Sequence, residues 1–408
     1  MKVLIPTMGT RGDVQPYIAL ATKLNASCYE VTIATHPCWK DLIESYNINF
    51  VSIGPDIDIE YETAKIRGSS KNWVLGLIRT MKFVFRIIEE STFEIKKLCS
   101  SADLVIASHS NIGATEAEAS GIPFISVTLQ PDSIPKKLKK KSEVKKLLGR
   151  LVGRLISPFM VGPYNKLRKV HGLEKISSFD ELLSPMLNIV PISPLVYTSY
   201  EFWEEKNKIV GYWLVEEEKE FHPSEELSNF LKSGSPPLII SLGAMSFETE
   251  EDKSRLDTLI NSVNKVKMRA IIQGFTKTLE NYKLGDNIIA VESIPHTWLF
   301  KRGYCVIHHG GMSTTATAIY SGVPAIVIPH ITDQFYWANR VYELNLGPKP
   351  IRSKDLSEDS LVNAITIVKN NYEQFSNSSK SLANKLKTEN GLDKTVELIN
   401  NILLIQDI

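Results

Sequence analysis

The sequence predicts an α/β protein made of two domains, each built on a parallel β-sheet. Three observations support this fold class. The chain has 408 residues, which is long for one ordinary domain and comfortable for two. Short apolar runs alternate with helical patterns through the first half, and the same alternation starts again near residue 236. Strands separated by helices of this length favour parallel sheets with right-handed crossovers.

The first domain is predicted at residues 1–212. Its opening apolar run, 2–7, predicts a strand and is too short for a signal peptide. A helix over 14–26 follows. The further elements predicted here are helices over 39–47 and 72–98 and strands over 29–36, 48–53, 102–108 and 123–129.

A linker over 213–236 is rich in acidic and aromatic residues, and the second domain is predicted at 237–390. Ligands of doubly wound folds bind beyond the carboxyl ends of the strands. We therefore expect a site in a cleft between two facing domains. The apolar runs that predict its five strands are 236–243, 268–274, 287–293, 304–310 and 324–329.

Composition narrows the function classes. The formal net charge is +1 and 43% of the residues are hydrophobic, so the overall charge does not argue for a nucleic-acid partner. The four cysteines are scattered without a CxxC pair, which favours free thiols over disulfides or a zinc site. No apolar run reaches the length of about 18 residues that a membrane-spanning helix needs. We expect a cytoplasmic protein without a bound metal.

The sequence HHGGMSTT at 308–315 lies between a predicted strand and a predicted helix. Glycines let a ligand approach the backbone closely, and the first amides of a helix are unpaired donors at the positive end of its dipole. Serine and threonine hydroxyls add donors. The pattern therefore favours an anion, in particular a phosphate. The alternatives are a helix cap beside core histidines and a zinc site, which adjacent histidines fit poorly.

The run 293–351 contains this loop and the sequence HITDQFYWANRV. It closely resembles the donor-nucleotide signature of UDP-glycosyltransferases. Segments 9–24 and 31–54 are similar to the acceptor-domain start of one branch of that family, which contains sterol glucosyltransferases and the glycosyltransferases of glycopeptide and macrolide antibiotics. The resemblance implies a GT-B fold, in which two Rossmann-like domains face a central cleft. It also implies that segment 391–408 forms a helix that packs back on the first domain.

The resemblance further implies a nucleotide diphosphate sugar, linked to UDP or dTDP, as co-substrate and no other cofactor. The diphosphate is expected at the 308–315 loop, where a packing role for His309 is an equal alternative. The sugar hydroxyls are expected at Asp333 and Gln334, for which a helix cap with a solvated glutamine is the alternative. The implied donor-binding residues are His308, Gly310, Gly311, Ser313, Thr314, Asp333, Gln334, Gly243, Ile294, Thr10 and Arg11.

Asp13 lies just beyond the first predicted strand. An acceptor hydroxyl ionises far above neutral pH, so its attack on a sugar needs a general base within hydrogen-bond reach. The resemblance assigns that base to Asp13. The alternative is that Asp13 caps a helix starting at Val14, and the two roles are compatible.

The helical pattern over 72–98 is very rich in large apolar side chains. The resemblance implies that this region helps to line the pocket for a flat, lipophilic acceptor, with His109, Trp73 and Phe83 as candidate contacts. A helix buried in the core of the first domain is the alternative.

Segment 136–156 combines many lysines with leucines at helical spacing. Such a basic amphipathic helix is typical of contact with an anionic membrane. A solvated charged face is the alternative. We therefore predict a peripheral membrane contact here as an addition to the cytoplasmic location.

Together these features predict an inverting, metal-independent glycosyltransferase that moves a hexose, expected to be glucose, to a hydroxyl of a small lipophilic acceptor. Direct displacement by one base-activated hydroxyl inverts the anomeric centre. Two alternatives remain on the same fold: an enzyme of the 2-epimerase type that modifies the nucleotide sugar, and a catalytically silent partner that only binds it. A NAD-dependent dehydrogenase is disfavoured because neither half has the expected GxGxxG sequence after a strand.

Overall fold

The computed structural model describes residues 1–57, 59–68, 73–131, 134, 161–215, 221–243, 250–279 and 282–405. The lysine-rich segment 136–156 lies outside the described residues, so its membrane contact stays a prediction. No helix in the described part of the chain is long and apolar enough to cross a membrane. The chain divides into two compact units: unit 1 contains residues 1–62, 72–215 and 389–408, and unit 2 contains residues 63–71 and 216–388.

Unit 1 contains seven strands: β1 Lys2–Pro6, β2 Glu30–Thr35, β3 Asn49–Ser52, β4 Leu104–Ala107, β5 Phe124–Val127, β6 Asn188–Val190 and β7 Asn207–Ile209. They form one parallel sheet in the order β3-β2-β1-β4-β5-β6-β7. The sequence predicted the first five. It missed β6 and β7 because both are short and begin with asparagine, and β7 also contains a lysine, so neither forms a clear apolar run. The equally short β12 was predicted because it lies within the apolar run 324–329.

The helices that precede residue 216 connect these strands. They are α1 Arg11–Ala26, α2 Lys40–Glu44, α3 Ile59–Gly68, α4 Trp73–Cys99, α5 Ala114–Ser120 and α6 161–170. The prediction that the first helix begins at Val14 is wrong. Helix α1 begins at Arg11 because Thr10 and Asp13 exchange the contacts of a capping box, which starts the helix three residues earlier.

Unit 2 contains five strands, all of them predicted: β8 Leu238–Ser241, β9 Ala270–Gln273, β10 Ile288–Val291, β11 Cys305–His308 and β12 Ala325–Val327. They form a parallel sheet in the order β10-β9-β8-β11-β12. Its helices are α7 Glu225–Lys232, α8 Glu250–Lys265, α9 Thr276–Leu279, α10 His296–Leu299, α11 Met312–Ser321, α12 Thr332–Glu343, α13 Glu358–Asn370 and α14 Tyr372–Leu386. The predicted fold class, two α/β units with parallel sheets, is confirmed.

The central strands are buried on both faces. In β8, Leu238 and Ile240 pack into one apolar cluster, whereas Ile239 packs into another. Side chains alternate between the two faces of a strand, so these clusters lie on opposite sides of the sheet. Helices on both faces explain why such strands read as unbroken apolar runs and were easy to predict.

The chain order reverses beside a central strand in each sheet, between β1 and β4 in unit 1 and between β8 and β11 in unit 2. Ligands of doubly wound sheets bind outside the carboxyl ends of the strands at such a switch point. Several of the predicted site residues follow these four strands directly. They are Thr10, Arg11 and Asp13 after β1, His109 after β4, Gly243 after β8, and the segment from His308 to Thr314 at the end of β11.

Helix α15, Gly391–Ile405, closes the chain and packs against α1 within unit 1. The Tyr29 hydroxyl donates a hydrogen bond to the side chain of Asn400. The indole Nε1 of Trp213 donates a hydrogen bond of 2.9 Å to Thr395 Oγ1, and both groups are buried. These contacts join the last helix to the first unit of the chain.

We expect Ile399→Ala to lower the free energy of unfolding by about 2–5 kcal/mol, because the Ile399 side chain of α15 is fully buried. Leu404 lies on the same helix and is 77% exposed, so Leu404→Ala should change the free energy of unfolding by less than about 0.5 kcal/mol. Urea unfolding followed by circular dichroism measures both effects. Equal effects of the two substitutions would show that α15 does not bury an apolar face.

Candidate functional site

His308 is the last residue of β11 and is completely buried. Burial, with smaller contributions from His309 and His296, lowers the pKa of His308 to about 3, so its ring is neutral at neutral pH. Its Nδ1 accepts a hydrogen bond of 3.1 Å from the Gly310 backbone N–H. A neutral imidazole that accepts at one nitrogen carries its hydrogen on the other, so Nε2 is a donor. This Nε2 is buried and has no hydrogen-bond partner among the residues that the structure describes.

Gly310 forms the turn between β11 and α11. Its φ is +87°, in the left-handed region, and a Cβ there would lie 2.8 Å from Val327 Cγ1 and 3.0 Å from the Gln334 carbonyl oxygen. The turn therefore requires glycine. Helix α11 begins directly afterwards with Gly311 as its N-cap. The predicted residues Ser313 and Thr314 lie in its first turn, at the positive end of the helix dipole.

The ring of His309 packs between the loops that follow β8 and β11. A Cβ at Gly243 would lie 3.1 Å from the Cε1 of His309, and a Cβ at Gly311 would lie 2.4 Å from its Nε2. Burial lowers the pKa of His309 to about 4, against a hydrogen bond with the Ser241 backbone that raises it. The two glycines thus make room for a neutral ring, and its buried Nδ1 has no partner.

His330 is a residue whose position the sequence reasoning missed. It follows β12, and its two ring nitrogens are both buried without a hydrogen-bond partner. Burial, then the charge of Arg255 and the neighbouring His309, lower the pKa of His330 to about 3. A lone histidine has no sequence pattern, and only its place after a predicted strand could have drawn attention to it. Within the described ranges, no three His, Cys, Asp or Glu side chains come together as a metal site.

Gln334 has a capping role that the sequence did not predict. It is only 3% exposed, and its Oε1 accepts hydrogen bonds from the backbone N–H groups of His330, at 2.8 Å, and Ile331, at 3.2 Å. The expected alternative, in which Asp333 caps the helix and Gln334 is solvated, is therefore wrong. Asp333 instead lies in the first turn of α12. The side-chain carbonyl of Gln334 is occupied, and its amide hydrogens are its means of donating to a ligand.

Ile294 follows β10 in unit 2 and is buried in the apolar cluster that contains Ile239. Its carbonyl oxygen accepts a hydrogen bond of 3.2 Å from Gln273 Nε2. His296 continues this chain of polar groups, since its Nε2 lies 3.0 Å from Ser241 Oγ. One main-chain group of Ile294, a residue that the resemblance implies for donor binding, is thus hydrogen-bonded within unit 2.

In unit 1, the side chain of Asp13 turns back onto the start of its own helix. Its Oδ2 accepts hydrogen bonds of 2.9 Å from both the backbone N–H and the hydroxyl of Thr10. Gly9 makes room for this carboxylate, because its φ is +145° and a Cβ there would lie 2.5 Å from Asp13 Oδ2. Asp13 therefore has the capping role that was its alternative, although from the third position of α1. Arg11 is the first residue of that helix.

The second carboxylate oxygen of Asp13 faces a residue from another strand end. Asp13 Oδ1 lies 3.5 Å from His109 Nε2, and the two side chains are 36% and 18% exposed. The Asp13 carboxylate is thus partly exposed to solvent. A general base must be accessible in this way to contact its substrate. Adjacent strands β1 and β4 bring these two residues together across 96 positions of sequence, which no local pattern could reveal.

The other predicted acceptor contacts lie on α4. Phe83 is partly buried against the apolar core of unit 1, and the guanidinium of Arg86 lies 5.6 Å from the centre of its ring. Core packing, the alternative for this helix, therefore describes Phe83 well. Trp73 is the first residue of α4.

Two family models match the chain. Residues 3–141 match the N-terminal domain of glycosyltransferase family 28, and residues 257–397 match the C-terminal domain of the erythromycin biosynthesis protein CIII-like family. The two matches together cover more than half of the chain. Fold and family matches define a glycosyltransferase of the GT-B class. Together with the relatives described next, these matches support a UDP-glycosyltransferase of this class.

Curated relatives and solved structures resemble the chain over almost its whole length. Sterol 3-beta-glucosyltransferases of Arabidopsis thaliana and Candida albicans are 27% and 28% identical over 99% and 100% of the chain, which spans 68% and 28% of their lengths. The glycotransferase of kitacinnamycin has a TM-score of 0.76 at 15% identity, with 98% of each chain covered. The glycosyltransferase VinC in complex with dTDP has a TM-score of 0.70 at 19% identity, covering 98% of this chain and 99% of that one.

We expect His308→Ala to weaken the binding of UDP or dTDP by about 10- to 100-fold, because a hydrogen bond to a charged group contributes about 1.5–3 kcal/mol. Calorimetric titration with each nucleotide measures the loss. His222 is an exposed histidine of the same unit, so His222→Ala should leave the affinity unchanged. Equal affinities for the wild type and His308→Ala would remove the phosphate role from this loop.

A pH dependence of stability follows from the buried rings of His308, His309 and His330. Their lowered pKa values mean that the unfolded protein, with histidine near 6.5, binds more protons than the folded one below that pH. Stability should therefore hold above about pH 7 and fall as the pH drops from about 6.5 towards 4. Urea midpoints at pH 7.5 and 5.5 measure this fall. His330→Leu should reduce this loss of stability, and His222→Leu should not. An equal loss of stability in the wild type and both variants would show that the buried histidines do not cause it.

Proposed function

We propose that this protein transfers a hexose from a UDP- or dTDP-sugar to a hydroxyl group of a small lipophilic acceptor, with inversion at the anomeric carbon and without a metal ion. The observation that carries the proposal is the buried, unpartnered Nε2–H of His308 beside the first amides of α11. In a chain of this family, a diphosphate is the ligand whose chemistry satisfies those donors.

Glucose and a sterol are the preferred substrates within this proposal. The relatives named above are sterol 3-beta-glucosyltransferases, which supports a glucose donor and a flat, lipophilic acceptor. The structural neighbours include proteins in complex with dTDP or thymidine diphosphate, which supports dTDP as an alternative nucleotide. The apolar composition of α4, Trp73–Cys99, agrees with an acceptor of this kind.

The donors at the end of β11 suit a departing diphosphate. Negative charge grows on the diphosphate oxygen as its bond to the sugar breaks, and prearranged donors stabilise that charge in the transition state. We assign this role to the neutral Nε2–H of His308, the amides from Gly311 onward and the hydroxyls of Ser313 and Thr314. The amide of Gln334 and the carboxylate of Asp333 are assigned to the sugar hydroxyls.

Asp13 is the base in this proposal. The acceptor hydroxyl gives its proton to the Asp13 carboxylate while its oxygen forms a bond to the anomeric carbon. The bond between that carbon and the diphosphate oxygen breaks, and the nucleotide diphosphate leaves with the electron pair. One displacement from the face opposite the leaving group inverts the anomeric centre, and no second carboxylate nucleophile is needed.

The proposal is tested by incubating the purified protein with UDP-glucose or dTDP-glucose and either cholesterol in detergent micelles or a mixed lipid and natural-product extract. Mass spectrometry should detect an acceptor whose mass has grown by one hexose, and the proton NMR spectrum of the product gives its anomeric configuration. A changed nucleotide sugar without acceptor would favour the epimerase type. Binding of the nucleotide sugar without turnover would favour a silent partner.

We expect Asp13→Asn to reduce turnover by about 10²–10⁴-fold, because the amide cannot take the proton from the acceptor. The variant should keep its fold, since Asn can still accept the Thr10 hydrogen bonds and ranks with Asp as a cap. Its affinity for UDP should match the wild type. Turnover above about a tenth of the wild-type value, measured where chemistry limits the rate, would take the role of base from Asp13.

A further inference from the structure

In the contact between Asp13 and His109, only the histidine can be the hydrogen-bond donor. A carboxylate offers only lone pairs, and its Oδ2 already accepts two hydrogen bonds from Thr10. The approach of His109 Nε2 to Asp13 Oδ1, at 3.5 Å, is favourable only if this nitrogen carries a hydrogen. Nε2 is therefore the donor, and it has no lone pair with which to take a proton from a substrate.

The other ring nitrogen of His109 faces a buried tyrosine. The Tyr17 hydroxyl accepts a hydrogen bond of 2.7 Å from the His109 backbone N–H and lies 3.4 Å from Nδ1. Burial raises the pKa of the Tyr17 hydroxyl well above its ordinary value, so it keeps its hydrogen. That hydrogen can be donated to Nδ1, which makes Nδ1 an acceptor.

Packing also fixes the orientation of the His109 ring. The rings of Tyr17 and His109 are stacked at 20° with centroids 6.1 Å apart, and the indole of Trp213 packs edge-on against Tyr17. Tyr17 is fully buried in α1, the same helix that carries Asp13. The helix therefore carries both the carboxylate and the group that fixes its partner, four residues or about one turn apart.

We propose that His109 is a positioning residue for Asp13, and that Tyr17 fixes the ring with Nδ1 as acceptor and Nε2–H directed at the carboxylate. The inference deepens the proposed function, because it rests on Asp13 as the base. Thr10 anchors one carboxylate oxygen and His109 the other, so the carboxylate plane is fixed before the acceptor arrives. The proton taken from the acceptor stays on Asp13, because His109 Nε2 cannot receive it.

This role replaces the contact with the acceptor that the resemblance implied for His109. Both ring nitrogens are committed within unit 1, one to Tyr17 and the other to Asp13. The ring retains no nitrogen with which to bind an acceptor hydroxyl. Replacement of His109 should consequently change the rate of the chemical step, whereas loss of an acceptor contact would change the affinity for the acceptor.

The protonation state is tested without any turnover. Long-range proton–nitrogen NMR spectra of the protein labelled with ¹⁵N-histidine, at pH 7.5, give the state of each ring nitrogen, and His109→Gln identifies the His109 signals by their loss. We expect a bare Nδ1 and a protonated Nε2, with Tyr17→Phe shifting the Nδ1 signal. A ring protonated at Nδ1, in the other neutral form or as the imidazolium, would overturn the proposal even if no substrate were turned over.

Kinetics test the positioning role, with UDP-glucose and the acceptor found in the extract assay. His109→Ala should lower kcat by up to about 100-fold, the effect of a misplaced catalytic group, with the KM for both substrates nearly unchanged. His109→Gln keeps an N–H donor and should recover most of the loss. Tyr17→Phe should reduce kcat less, and it serves as the second variant if His109→Ala fails to fold.

A double mutant separates positioning from an independent contribution. In the Asp13→Asn background, His109→Ala should cause no further loss of turnover, because the group it positions can no longer act as a base. A loss that multiplies with that of Asp13→Asn, or a raised acceptor KM with kcat kept, would overturn the proposal. Thermal unfolding and UDP affinity of each variant verify that the fold and the nucleotide site persist.

Discussion

The parallel pairing of two central strands in each sheet is the constraint on which both candidate sites depend. In unit 1, β1 pairs with β4 and places the turn of Asp13 beside that of His109. In unit 2, β8 pairs with β11 in a register that sets Ser241 opposite His308. Both pairings are buried among apolar side chains, so a slip by one residue would exchange the side chains on the two buried faces of a strand and disrupt the packing on both. The packing of the apolar cores therefore fixes the positions of the polar groups at the strand ends.

The sequence could predict what is local and repeated. Apolar runs revealed ten of the twelve strands, and the glycine-rich loop after β11 was found from its own residues. Properties that depend on contacts between distant parts of the chain could not be predicted from the sequence. The contact of His109 with Asp13 needs two strands to lie side by side, and the burial of His330 depends on neighbours that the chain brings in from elsewhere. The start of α1 was missed for a smaller reason. The sequence suggested Asp13 as the cap of a helix from Val14, whereas Thr10 is the N-cap and Asp13 is the third residue of α1.

Unit 2 carries polar atoms that its own fold does not satisfy. His308 Nε2, His309 Nδ1 and both nitrogens of His330 are buried without partners, and each such group costs about 1–3 kcal/mol. A core of apolar strands and helices offsets this cost. A ligand that binds only the folded state adds stability in proportion to the logarithm of its concentration. Binding of the proposed diphosphate at His308 Nε2 would therefore link the stability of the protein to the concentration of that ligand.

The placement of α15 has a consequence for synthesis on the ribosome. Unit 1 is discontinuous, because residues 216–388 of unit 2 lie in sequence between its first part and its closing helix. At about 5–20 residues per second, that stretch takes on the order of 10–40 s to translate. During this interval α1 has emerged without the helix that packs on it. The unfinished unit 1 therefore exposes the apolar surface of α1 that α15 later covers. Chaperones recognise exposed apolar surfaces of this kind. Unit 1 is begun first and completed last.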